Sequence, residues 1–149
     1  MIFNIPKRAK EIFFDKSVKG MSSNNVQDAI DELKTNIGQI VVDESLTVTI
    51  VSRTTTNIKS VKNLTKGVYI ATYRVIGLPQ QFVIGTIKKN TDEIAVDCCF
   101  SSDQYMSAQS SITAIFTIES TTDEIAFEIM SGTNLENRAG QKIKIMRIA

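Results

Sequence analysis

Two rhythms divide the chain. Between residues 24 and 40 the apolar side chains recur at helical spacing: Val26, Ile30, Leu33, Ile37 and Ile40 step by four, three, four and three, the a/d rhythm of a seam between helices. From about residue 45 the period changes to two. Leu46, Val48 and Ile50 alternate with threonines, and strand chemistry continues through Val68 to Ile76, Gln81 to Ile87 and Glu93 to Phe100. Ile112, Ala114, Phe116 and Ile118 share one face, Ile125, Phe127 and Ile129 repeat the pattern, and Lys142 to Ile148 closes it. Seven or eight short strands without an intervening helix predict a mainly β protein, an antiparallel β-sandwich of jelly-roll type preceded by a short N-terminal coiled-coil helix.

These rhythms set three regions: an extended leader over 1–23, with Pro6 and Gly20 as breakers; a helix over 24–42; and a sandwich head over 45–149. Asn24 is the expected N-cap, and Gln27 three residues on resembles a capping box. Asp28, Asp31 and Glu32 fall near the positive end of the helix dipole. So short a helix is marginal alone in water. Its seam is therefore buried, against identical helices of other copies or on the chain's own sandwich. Ile30 and Ile37 at a with Leu33 at d favour a dimer, whereas Ile40 at d pulls towards a trimer.

An echo runs through the sandwich. Ile84 to Asp97 aligns with Ile115 to Glu128, each a strand, a polar turn and a strand opening on Asp-Glu-Ile-Ala. Two hairpins with similar turns are expected. The longest tracts outside strands, 101–110 and 131–141, are polar and hold isolated large side chains. Tyr105, Met106, Asn134 and Arg138 are their candidate ligand residues, although any sandwich needs such connections.

Composition narrows the chemistry. The 149 residues carry a formal net charge of +1, against the basic excess of an electrostatic nucleic-acid binder. No apolar run is long enough for a membrane span, and the N-terminus lacks a signal-peptide pattern. Asn63-Leu64-Thr65 is therefore read as a chance sequon. The chain has no histidine, which removes the commonest general base, the histidine-assisted nucleophiles and the usual zinc set. Asp43-Glu44, Asp92-Glu93 and Asp123-Glu124 are adjacent acids whose side chains diverge, better suited to turns than to glycoside hydrolysis. No calcium loop or phosphate loop occurs. Neither an enzyme nor a cofactor is expected. Cys98 and Cys99, adjacent on a strand, should point to opposite faces, one into the core.

The segment Ala9 to Asp15, Gly20, and Asn25-Val26-Gln27-Asp28-Ala29-Ile30-Asp31-Glu32-Leu33 resembles a recurring module of bacteriophage fibre and baseplate proteins. There an extended strand with a Phe-Asp pair leads through glycine into Asn-Val-Gln-x-Ala-Ile-Asp-x-Leu. The resemblance covers about a fifth of the chain. It implies a virion protein assembled in the host cytoplasm, a homotrimer clamped by the helix and attached to capsid, collar or tail proteins through the leader, where Phe3, Ile5, Lys7, Arg8, Phe13 and Phe14 would make contact. A second similarity, of Gly67 to Val75 and Val83 to Asn90, is to trimeric heads of the tumour-necrosis-factor and complement type. It implies an aromatic interface at Tyr69 and Tyr73, for which core packing is the alternative. The functional expectation is a non-enzymatic head or tail fibre or decoration spike. The alternative is an adhesion module that binds a host-surface glycan or receptor.

Overall fold

The computed structural model describes residues 25–36 and 38–149, and the chain divides between Gln39 and Ile40 into two units. In the first, α1 spans Val26–Asn36. The Asn25 side chain accepts a hydrogen bond from the Asp28 N–H at 2.9 Å and donates to the Asp28 carboxylate at 2.8 Å, while the Asn25 carbonyl accepts from the Ala29 N–H at 3.0 Å. The cap is thus Asn25, one residue beyond the expected Asn24, and its partner is Asp28 rather than Gln27. An acid at the third helical position both reaches the cap and complements the dipole. Gln27 instead donates to Asp31 at 3.1 Å.

The helix is shorter than expected. Gly38 takes φ +76°, a left-handed conformation that ends helices at little steric cost. A strand begins one residue later, so Ile40 is a strand residue, 52 % exposed, and not the last step of the seam. Val26 is half-buried and Ile30 is 40 % exposed. Ile37, the leader and its residues Phe3, Ile5, Lys7, Arg8, Phe13 and Phe14 lie outside the described residues, as does the side chain of Leu33.

The second unit is an antiparallel β-sandwich of eight strands: β1 (Gln39–Ile50), β2 (Thr56–Val61), β3 (Gly67–Pro79), β4 (Phe82–Lys89), β5 (Asp92–Phe100), β6 (Ser107–Ile118), β7 (Ile125–Ser131) and β8 (Leu135–Arg147). One sheet has the order β1-β8-β3-β6 and the other β2-β7-β4-β5. The pairings nest: β4 with β5, β3 with β6, β2 with β7, and β1 with β8. Every connection except β4–β5 crosses from one sheet to the other. Strand β2 was not apparent in the sequence. Its apolar residues Ile58 and Val61 are three apart because the β2–β7 register shifts between Asn57 and Lys59, breaking the alternation.

The core lies between the sheets, filled from alternate positions of each strand. In β6, Ala108, Ser110, Ile112, Ala114, Phe116 and Ile118 face inward while the residues between them are exposed. Tyr69 and Tyr73 of β3 are 1 % and 0 % exposed. This corrects their assignment to an oligomer interface: Tyr69 stacks on Phe116 at 5.9 Å, Tyr73 meets Phe127 edge-on at 5.5 Å, and neither presents a surface. Each such buried side chain contributes about 1.5–3 kcal/mol relative to exposure. At Gly85 of β4 the opposite sheet leaves no room for a side chain: a methyl group there would overlap Ile112 and lie 2.9 Å from the Val75 side chain.

Three further expectations change. Cys98 is exposed and Cys99 half-buried, because β5 is an edge strand whose ends the opposite sheet does not cover; neither is a core thiol. The expected loop 131–141 shrinks to 132–134, since β8 already starts at Leu135, and the loop 101–110 shrinks to 101–106. The second half of the echo is not a hairpin, because β6 and β7 lie in different sheets. The two echoing turns clasp each other instead: the Asn90 N–H donates to the Glu124 carbonyl at 2.7 Å, and the Glu124 N–H donates to the Asn90 side chain at 2.9 Å.

Candidate binding surfaces

Three surfaces of the sandwich carry exposed features beyond the ordinary alternation. The first is the loop end. The segments 51–55, 80–81, 101–106 and 132–134 are laced together there: Ser52 N–H donates to the Asn134 side chain at 2.8 Å, Ser52 Oγ to the Gly132 carbonyl at 2.7 Å, and Ser101 N–H to the Gln81 carbonyl at 3.1 Å. A shallow depression lined by Ser52, Leu78, Gln81 and Asn134 results. Of the candidate ligand residues, Asn134 is thus spent on holding a loop. Arg138 lies on β8, donates to Ser107 Oγ at 2.6 Å, and is a strand residue rather than a loop one. Tyr105 and Met106 project freely, 84 % and 65 % exposed, from a loop pinned by Asp103 accepting from the Tyr105 N–H at 2.7 Å. The structure does not gather these four side chains around one site.

The second surface is the outer face of the β1-β8-β3-β6 sheet. The register puts Ile70 opposite Ile115 on one side and Met146 on the other. The three form an apolar row across three strands, on the face away from the buried Tyr69 and Ala71. Ile115 is 66 % exposed in a strand whose other outward residues near it are Ser111, Thr113 and Thr117. A solvated sheet face normally carries polar residues at such positions.

The third surface is a groove of about 430 Å³ on the outer face of the β2-β7-β4-β5 sheet. Its floor is β4. Gly85 faces the core, so Ile84 and Thr86 point the other way, and Thr86 is nonetheless only 7 % exposed. Register shifts between Ile87 and Lys88 and between Asn57 and Lys59 increase the local twist and hollow the face. The register places Val96 and Glu128 beside Thr86, and Met130 beside Ile84. Lys88 and Glu128 form an ion pair at 2.9 Å with side chains 25 % and 16 % exposed. The hydrogen bond that Lys88 donates to Glu128 holds its ammonium above the ordinary pKa, with Glu93 adding to the effect.

Of these groove residues only Glu93 was weighed for chemistry in the sequence, as half of the Asp92-Glu93 pair; the others are scattered from Thr55 to Met130 without a local pattern. Among the described residues, no group of three His, Cys, Asp or Glu side chains stands close enough to hold a metal ion, and no helix is long and apolar enough to cross a membrane. No family model matches the chain, and no curated protein matches it.

Proposed function

We propose that this protein is the head-bearing subunit of a short homotrimeric bacteriophage fibre or decoration spike, a structural component of the virion without a catalytic role. The observation that carries the reading is the apolar row Met146–Ile70–Ile115, in which Ile115 stands 66 % exposed on a β6 strand that is otherwise polar on that face. Leaving a large aliphatic side chain exposed beside two partly covered ones is unfavourable unless another surface covers them. A second and third copy of the chain are the simplest cover, because cyclic symmetry lets one patch be satisfied in every subunit. Two features agree. The nested pairing of the eight strands reads as a jelly roll, an architecture that closes its core within one chain and leaves whole sheet faces free for contacts. Ahead of it stands a capped helix of eleven residues, too short for independent stability and carrying the phage-like string Asn25 to Leu33.

In this reading the helices clamp the chains, residues 1–23 dock on capsid, collar or tail, and the heads point outward. Gold-labelled antibody against the sandwich should decorate a fixed projection on purified particles. A chain lacking residues 1–23 should still assemble but no longer attach. Particles without label, or full attachment by the shortened chain, would refute the respective assignment.

A further inference from the structure

We propose that self-contact through the outer face of the β1-β8-β3-β6 sheet creates a site for a multivalent oxyanion of the phosphate type, shared between copies of the chain. The inference rests on the trimer proposed above and adds a ligand to it. The site is incomplete in a single chain.

The register lays three rows side by side across β8, β3 and β6: Met146–Ile70–Ile115, Lys144–Thr72–Thr113 and Lys142–Arg74–Ser111. All three face outward, because Tyr69, Ala71, Tyr73 and Val75, which alternate with their β3 members, are buried. The apolar row is therefore followed by two cationic ones, each about 7 Å further along the strands. Arg74 stands directly opposite Lys142, a cross-strand pairing of like charges that is unfavourable on its own. One carboxylate answers them. Asp43 meets Lys142 at 3.2 Å, with both side chains about half exposed, so the pair is weak. Arg74 donates to the neutral Gln109 side chain at 2.7 Å. Among the described residues neither Arg74 nor Lys144 has a carboxylate partner. The other members of the two rows, Thr72, Thr113 and Ser111, add only hydroxyls.

In one chain, water solvates these cations. When the apolar rows of three copies meet, each chain brings Lys144 within one row of the contact, inside a Debye length of about 8 Å, and Arg74 and Lys142 one row further. Like charges of neighbouring copies are then drawn together while their hydration is reduced, which opposes the apolar gain. A multivalent oxyanion between the chains removes that opposition. The planar guanidinium takes two of its oxygens side by side, and ammonium and hydroxyl groups of other copies take the rest. Chloride carries one charge and has no separate oxygens with which to bridge cations of different chains.

The test is sedimentation velocity of the full chain in chloride, with and without low-millimolar inorganic phosphate at equal ionic strength, alongside phosphorus NMR of the phosphate. Phosphate should lower the concentration of half-assembly about tenfold, and its resonance should broaden in step with the trimer. The double variant Arg74→Gln, Lys144→Gln should keep its strand signal, still form a trimer in chloride, and lose the phosphate effect. A general salting-out action of phosphate would persist in that variant and would overturn the proposal. Ile115→Ser, which weakens the self-contact without adding charge, should bind neither phosphate nor polyphosphate as a single chain; binding there would show a site complete in one copy, also against the proposal. A wild-type trimer of equal strength with and without phosphate overturns this inference and leaves self-contact standing, whereas a monomer in every buffer overturns both.

Discussion

Tyr69 and Tyr73 are alike in the sequence, four residues apart on one strand face, yet the structure treats their hydroxyls oppositely. Tyr69 donates to the Thr65 carbonyl at 2.7 Å and lies 3.1 Å from Thr65 Oγ1. The Tyr73 hydroxyl is buried with no hydrogen-bond partner among the described residues, and burial pushes its pKa well above the ordinary phenol value. Tyr69→Phe should therefore cost about 1 kcal/mol in urea unfolding, whereas Tyr73→Phe should cost nothing or stabilise. A larger loss from Tyr73→Phe would contradict the packing described. Gln141 is the converse case, a fully buried polar side chain with every group in use. Beyond Lys142 the β3–β8 ladder stops, and the Gln141 amide continues it, accepting from the Ile76 N–H at 2.7 Å and donating to the Ile76 carbonyl at 3.0 Å. Gln141→Leu strands both backbone groups and should cost roughly 2–4 kcal/mol, read as a lower unfolding midpoint at unchanged slope.

Elements were legible where alternation was uninterrupted. β6 and β7 follow their apolar rhythm almost to the residue. β8 was found only from Lys142, because Asn137 and Gly140, both with positive φ, break the pleat between Leu135 and Gln141. The start of β1 was read as helix because Ile40 happens to continue the heptad, and only Gly38 marks the change. The groove was not legible at all: it exists because the register aligns β4, β5 and β7, and no local pattern encodes that register. Turns were half legible. The Asp-Glu-Ile-Ala echo signalled two related connections, but not that the second crosses between sheets. Asp123 there accepts from the Glu119 N–H at 2.9 Å and the Ser120 N–H at 3.3 Å and lies 3.5 Å from Lys89 Nζ. These bonds, that of Glu119 foremost, hold its pKa at about 2. A depressed carboxyl pKa contributes stability above the unfolded value of roughly 3.9 and loses it as pH falls to about 2. Asp123→Asn should accordingly destabilise the protein at pH 7, with the difference from wild type shrinking across that acid window. A difference constant down to pH 2 would contradict the assignment.

At the scale of the whole molecule, the eight-stranded sandwich encloses a core of aromatic and aliphatic residues within one chain, and its two outer faces differ. One presents the apolar row with Ile70 at its centre and Ile115 at its exposed end, the other a groove with an ion pair at its side. Self-contact through the first face is the claim on which the proposed function stands. Sedimentation velocity of the full chain at micromolar concentration tests it most directly. The account predicts one species of about 50 kDa, three times the 16.5 kDa chain, and a shift to the single-chain mass or a rapid equilibrium on Ile115→Lys without loss of strand signal. A wild-type chain that sediments as a 16.5 kDa monomer would contradict it.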